Sequence, residues 1–426
     1  MESIPQVAAS DSYPPVQEEV SRLAGSPAVR AAFDRFRAQE SQFALWQMEA
    51  TRVAAPPFGE SVRGAWLAGR FHELGLIDVQ VDEVGNVFGV RPGYGSRFVS
   101  LSAHIDTVFP VATPLNIRQQ GSRLYGPGVS DNGAGIAAML AVASVLGSTR
   151  IPHALPFVFI GNVGEEGEGD LRGMRHVFAT PRWRDAIAYS VVVDGAGTDT
   201  VVAEALGSRR FEMIVRGPGG HSWSDFGAPN PIIALSRAIE AFSQTPVPAS
   251  PKTTFNIGVI RGGTSVNSIP ESASMRVDLR STSTAEIDRL ERALRTALDQ
   301  AVAAENRAAA KHGARKPLVV RSEVHSEVQS EVVEIGSRPA GELAPDARLL
   351  KVIRAVDAHL GNTAQVQRAS TDANIPLSLG REAIAIGGGG SGGGAHTLQE
   401  WFDCNGRDLG LRRILLTMLT LSGVGE

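Results

Sequence analysis

In chain order, the groups able to bind a metal or move a proton are His104-Ile105-Asp106, Asp131, the pair Glu165-Glu166, Asp194, and a lone His396 beyond a glycine-rich run. Two imidazoles with several carboxylates make a donor set that suits zinc, which takes nitrogen and oxygen ligands at about 2.0–2.2 Å. A hydrolytic pair of zinc ions ~3.5–4 Å apart also needs a shared carboxylate and a water to activate. The inventory is sufficient for both. Each group also has a plainer reading. Glu165-Glu166 alone fits a solvated acidic turn, and Asp131 fits the N-cap of an apolar helix opening near Gly133. Capping and metal bridging do not exclude each other, because a helix N-terminus leaves backbone donors free to hold the second carboxylate oxygen.

The elements that must position these groups strengthen the chemical reading. Four short apolar runs, at 97–103, 156–162, 188–194 and 382–388, read as buried strands. His104 and Asp106 follow the first, Glu165 and Glu166 the second, Asp194 closes the third, and His396 lies past the fourth. In open α/β sheets, ligands bind beyond the carboxyl ends of the strands. Upstream, residues 15–50 carry helical spacing with a break at Gly25-Ser26-Pro27, and a helix is expected over about 60–74. A hairpin follows, turning at Gly85-Asn86. The alternation predicts an α/β domain with a mixed central sheet flanked by helices.

Between Gly207 and about Val328 the pattern changes to strand (209–216), helix (230–244), strand (253–260), strand (271–280), helix (284–311) and strand (317–328). This βαββαβ order is that of a ferredoxin-like split unit. The long helix places Ile287, Leu290, Leu294, Leu298 and Ala301 on one face, to pack on a sheet. The expected organisation is therefore a first domain in two parts, 1–206 and 331–426, with 207–330 inserted. The Ser-Glu-Val repeat at 322–333 reads as a half-exposed strand.

The totals set the bounds. A chain of 426 residues exceeds the ~250–300 that one core serves. A net charge of −4 carries no footprint for nucleic acid or an anionic membrane, leaving a small molecule as the expected partner. The single cysteine, Cys404, allows no disulfide within the chain and points to a reducing compartment, the cytoplasm. The first twenty residues lack the basic start and apolar run of a signal peptide. The longest apolar stretch, 134–147, is too short to span a bilayer and reads as a buried helix.

Two other chemistries fit less well. Gly389-Gly390-Ser391-Gly392-Gly393 matches a nucleophile-elbow pattern, but no acid lies between Ser391 and the one later histidine, as that triad order requires. A dinucleotide site would need glycine where the run from Gly126 has Asp131.

The stretches SAHIDTV, GPGVSDNGAG, GNVGEEGEGDLRG, VVVDG, GPGGHSW, GGTSVNSIPESASMRVDLRS and GGGAH run in one order from residue 102 to 396. Together they resemble the zinc exopeptidase and deacylase family that includes peptidase T, glutamate carboxypeptidase, acetylornithine deacetylase and succinyl-diaminopimelate desuccinylase. The resemblance implies two zinc ions per subunit, with cobalt or manganese able to substitute. Asp131 would bridge them, His104 and Asp194 completing one site and Glu166 and His396 the other. Asp106 would orient His104, and Glu165 would be the general base. In the inserted unit, a lid that would also form a homodimer, His221 would stabilise an oxyanion while Asn267 and Arg280 hold a substrate carboxylate. Gly392 and Gly393 would let backbone approach the substrate. His221 also fits an ordinary turn, Asn267 a turn former and Arg280 an exposed strand end. The implied function is hydrolysis of small peptides, with an N-acyl-amino-acid amidohydrolase as the alternative and a non-catalytic binding relative as a third reading. Asp rather than Glu at 194 tilts the resemblance toward peptides. Several relatives have Asp-Asp-Lys where this chain has Asp131-Asn132-Gly133, so the bridging carboxylate is retained and the lysine is not. His72, His153, His176, His312, His325 and His359 have no motif context.

Overall fold

The computed structural model describes residues 15–311, 318–320 and 323–423. Two compact units are defined by their internal contacts: 1–203 with 343–367 and 381–426, and 204–342 with 368–380.

In the first unit the four apolar runs become the four parallel strands of the central sheet, Phe98–His104, Phe157–Asn162, Ile187–Val193 and Glu382–Ile386. Nearly every residue in them is buried, as expected of strands covered on both faces. The strand order is Ile77–Val81, Val87–Arg91, 157–162, 98–104, 187–193, 382–386 and Thr200–Ala205, the outer pairings being antiparallel. All four parallel strands therefore end at one edge, which fixes where the side chains that follow them converge.

Local chemistry explains the boundaries. Ser26 accepts a hydrogen bond from Val29 N, with Pro27 as the first residue of the helix Pro27–Ala38. The 77–91 hairpin turns on Asp82, whose Oδ1 accepts from the backbone N–H of Val84, Gly85 and Asn86. Gly85 sits at φ +102, where a side chain is disfavoured. The helix Gly133–Thr149 is apolar all round and almost wholly buried against the strands 98–104 and 187–193. Its N-cap is Asn132, not Asp131, with Asn132 Oδ1 accepting from Gly135 N at 3.0 Å. Asp131 is thus released from capping. Among the described residues no helix is long and apolar enough to cross a membrane.

The C-terminal helix Arg407–Ser422 buries Arg413, which pairs with Asp357 through Nε to Oδ1 at 2.6 Å and Nη2 to Oδ2 at 2.9 Å. Replacing Asp357 with alanine should destabilise this unit by about 3–5 kcal/mol, because a buried guanidinium would lose its counter-charge. Denaturant unfolding would measure it, and a loss under 1 kcal/mol would show that Arg413 finds another acceptor.

The second unit has an antiparallel sheet in the order Thr253–Gly262, Ser272–Ser281, Gly207–Arg216, Gln329–Arg338. Alternate residues Phe211, Met213, Val215 and Met275, Val277, Leu279 face the helices Pro231–Ser243 and Thr284–Lys311. The expected helix face of Ile287, Leu290, Leu294, Leu298 and Ala301 is the buried one. The fourth sheet strand is 329–338, not 317–328. Part of 317–328 lies outside the described residues, and among those described Leu318–Val320 pairs with Glu323–His325. Because 329–338 belongs to this sheet, the unit runs past 330 to Glu342 and also takes in 368–380.

Candidate metal centre

The segments after the four parallel strands, with the loop that leads into the helix Gly133–Thr149 and carries Asp131, bring the sequence-predicted groups of the first unit together. His104 ends its strand, and its Nε2 lies 3.1 Å from Asp131 Oδ1 and 3.7 Å from Asp194 Oδ1. On the far side of the same carboxylate, Asp131 Oδ2 is 3.1 Å from His396 Nε2, which is also 2.9 Å from Glu166 Oε1. Each oxygen of Asp131 therefore faces a different imidazole. Donor atoms fall within 4.8 Å of one another in three overlapping trios: His104, Asp131 and Asp194; Asp131, Glu166 and His396; His104, Glu165 and Glu166.

Asp106 holds two parts of the site at once. The Nδ1 of His104 lies 3.2 Å from the backbone oxygen of Asp106 and 3.6 Å from its Oδ1, which aims Nε2 at the cluster. The Asp106 carboxylate also accepts the N–H of Glu165 at 3.0 Å and of Glu166 at 2.8 Å. Behind it, buried Arg63 donates to the carbonyls of Val53 and Ile105. Neither Asp106's bonds to 165 and 166 nor Arg63 had a sequence signal.

Asn132 ties the Asp131 loop to the Asp194 strand. Its Nδ2 donates to Val193 O at 2.9 Å and its Oδ1 accepts from Gly195 N at 3.1 Å. Asn132, one of two residues that depart from the Asp-Asp-Lys pattern, thus links the segments carrying two of the acids. A cavity of about 510 Å³ beside the cluster is lined by Asp131, Asp194, Ser391, Gly392, Gly393 and Ala395.

The glycine-rich run is not a spacer. Ser391–Gly393 pairs with Trp401–Asp403 in a four-stranded sheet with Arg123–Tyr125 and Arg118–Gln120. A Cβ at Gly392 would lie 2.2 Å from Ser130 Oγ, and one at Gly393 would lie 2.9 Å from the Trp401 indole nitrogen. Glycine is required there by packing, and the first contact is with the neighbour of Asp131.

In the second unit, the short pair Gly220–His221 with Ser268–Ile269 brings His221 beside Asn267, whose carbonyl accepts from Ser222 N at 3.0 Å. His221 is exposed, its Nδ1 facing the N–H of Trp223 at 3.2 Å. Arg280 is near the opposite end of the strand Ser272–Ser281, roughly 25 Å further along at a strand's usual rise. It is paired with Asp278 at 2.6 Å.

Five carboxylates and two imidazoles share the cluster, and their electrostatics call for cations. Burial opposes ionisation of Asp131, but hydrogen bonds from His104 and His396 hold its carboxyl well below the usual range. The bond to Asp131, together with Glu166, pushes His396 up to about 9 against partial burial. Burial opposes the charged form of His104, yet Asp106, Asp131 and Asp194 raise it well above its ordinary value. Glu166 is raised, first by burial. Imidazoles that bind protons this firmly stand where divalent cations would balance the same carboxylates, so the donor set fits a metal.

Metal and proton compete for the same imidazole nitrogens. Loading should therefore release protons at neutral pH, and metal affinity should rise with pH until about 9. In metal-stripped protein, the stabilisation from His396 is complete below its ordinary 6.5 and is lost as pH rises through about 9. Titrations in buffers of different ionisation enthalpy, and melting curves of stripped protein over that window, would measure both. Metal affinity that stayed flat with pH would remove the two histidines as ligands.

A carboxylate shared by two imidazole-containing trios, beyond the carboxyl ends of the four parallel strands, is a donor arrangement able to hold a pair of metal ions. The family model described as Peptidase family M20/M25/M40 matches residues 100–418, and the chain belongs to that family. A protein named probable carboxypeptidase from Aspergillus clavatus is 33% identical over 206 residues, covering 43% of this chain and 44% of that one. Another of that name, from Ajellomyces dermatitidis, is 30% identical over 223 residues, 48% and 50% of the two chains. The chain thus spans about half the length of the curated relatives it matches. The solved aminopeptidase PepT from Bacillus cereus superposes with a TM-score of 0.70 at 20% identity, covering 90% of this chain and 99% of that one. Human carnosine dipeptidase 1 gives 0.66 at 13% identity, covering 96% and 99%. Both share the fold.

Proposed function

We propose that the chain is a di-zinc exopeptidase that hydrolyses the terminal amide bond of small peptides. The observation that carries this reading is Asp131, whose two oxygens each face a different imidazole at 3.1 Å within overlapping donor trios. His104, Asp131 and Asp194 would hold one ion, and Asp131, Glu166 and His396 the other. When bound, such ions polarise the amide carbonyl and acidify a water. Glu165, buried beside Glu166 with its backbone held by Asp106, would take the proton from the attacking water and pass it to the leaving nitrogen. The glycine-lined cavity beside Asp131 and Asp194 has room for a peptide end.

His221 as oxyanion donor and Asn267 and Arg280 as a carboxylate grip complete the proposal, with 204–342 and 368–380 as lid. The separation of Arg280 from His221 along its own strand supports a homodimer in which different copies supply them. The exposed edge strand 253–262, with Ile260 at its surface, offers a face for pairing. A fully active monomer in sedimentation would remove the dimer. The free buried Cys404 fits a cytoplasmic setting.

Metal analysis with a panel of dipeptides, tripeptides and N-acyl amino acids tests the reading. Zinc-dependent cleavage of peptides supports it. Cleavage of N-acyl amino acids alone would make the chain an amidohydrolase. Absence of both metal and hydrolysis would sink the proposal and leave the non-catalytic, metal-free binding relative.

A further inference from the structure

Glu400 has no exposed surface, yet it carries a carboxylate aimed wholly at one loop. Its Oε2 accepts from Gly128 N at 2.6 Å, and its Oε1 from Ser130 N and Asp131 N at 2.7 Å each. Its own carbonyl accepts from Gly126 N at 2.9 Å. Four backbone donors of the segment 126–131 thus converge on a single residue. A buried carboxylate is costly to desolvate, and bonds from N–H groups to an ionised acceptor are among the strong ones that can offset the cost.

The position of Glu400 in the chain matters as much as its bonds. It follows His396 by four residues, on a turn closed by Thr397 N to Gly394 O at 3.1 Å and Glu400 N to Thr397 O at 3.3 Å. One short segment therefore reaches Asp131 twice, through His396 at Oδ2 and through Glu400 at the backbone nitrogen. The loop is gripped from a further point by Gln47, whose Nε2 donates to Val129 O and whose Oε1 accepts from buried Arg407. A loop needed only as a connection would not require a buried carboxylate bound to three of its backbone N–H groups.

We propose that Glu400 is a positioning residue for the metal centre: it fixes the backbone of Asp131 so that the two carboxylate oxygens are divided between the His104 and His396 sides. The proposal rests on Asp131 being a metal ligand, as argued above. Its carboxylate oxygens are taken up by the backbone N–H groups of Gly128, Ser130 and Asp131, so it acts through Asp131.

The test uses the full chain with Glu400→Gln, which keeps the shape but turns an amide N–H2 toward backbone donors. Zn2+ affinity of stripped protein is measured by competition with a chromogenic chelator, with melting curves of stripped and loaded protein and a separate kcat and KM. The expected result is a ~10–100-fold loss of Zn2+ affinity, the range for residues that support metal ligands. The gain in melting temperature on loading should shrink, and kcat should fall with KM little changed. Glu400→Asp, which retracts the carboxylate by one methylene, is the second variant if Glu400→Gln fails to fold, and the same loss is expected. Wild-type Zn2+ affinity in the variants, with stripped and loaded forms destabilised equally, would overturn the proposal and make Glu400 a plain structural anchor. A wild-type chain that binds no Zn2+ would instead overturn the metal reading, and this proposal with it.

Discussion

Glu165→Gln is expected to lower turnover by roughly 10²–10⁴-fold while leaving metal content unchanged, the usual range for loss of a general base. Glutamine has the shape of glutamate and preserves the backbone bond from residue 165 to Asp106 Oδ1, so the loop should stay in place. What it lacks is a carboxylate to accept a proton. Initial rates on the best peptide of the panel, with elemental analysis of the same preparation, would separate the outcomes. Normal turnover would remove Glu165 as the base. Loss of metal along with turnover would make it a ligand instead, an outcome its place in a trio with His104 and Glu166 makes worth measuring.

Asp131→Asn should be more damaging to the metal centre. The substitution removes the charge shared between the two imidazoles and replaces one oxygen by an N–H2 that cannot coordinate. Loss of several kcal/mol of metal-derived charge stabilisation corresponds to roughly 10³-fold in turnover. At least one equivalent of metal should be lost as well. The fold should persist, because the backbone of residue 131 is held by Glu400 and the neighbouring Asn132 is anchored to Val193 and Gly195. A variant that retained two equivalents and wild-type turnover would rule out Asp131 as the bridge.

The parts of this molecule readable from sequence are those with a strong one-dimensional signature. Buried parallel strands are continuous apolar runs, so 98–104, 157–162, 187–193 and 382–386 were visible, and with them the edge at which His104, Glu166, Asp194 and His396 meet. The strand 329–338 is half-exposed and rich in polar residues, so it offers no such run. Asp and Asn are about equally good caps, so the local sequence fits either residue, and only side-chain direction makes Asn132 rather than Asp131 the cap. The resemblance gives Asn267 and Arg280, thirteen positions apart in the chain, to one substrate carboxylate and says nothing of how far apart they lie. An extended strand carries them apart.

The sequence by itself determined the donor types, their order and the strand ends that carry them, because hydrophobic periodicity and residue chemistry are local properties. Only the tertiary structure decided that Asp131 faces two imidazoles, that Asp106 holds the backbone of Glu165 and Glu166, and that Glu400 holds the loop of Asp131. Those relations join residues up to 272 positions apart. They depend on which strands pair and on where a buried polar group finds its partners, and no spacing along the chain encodes that.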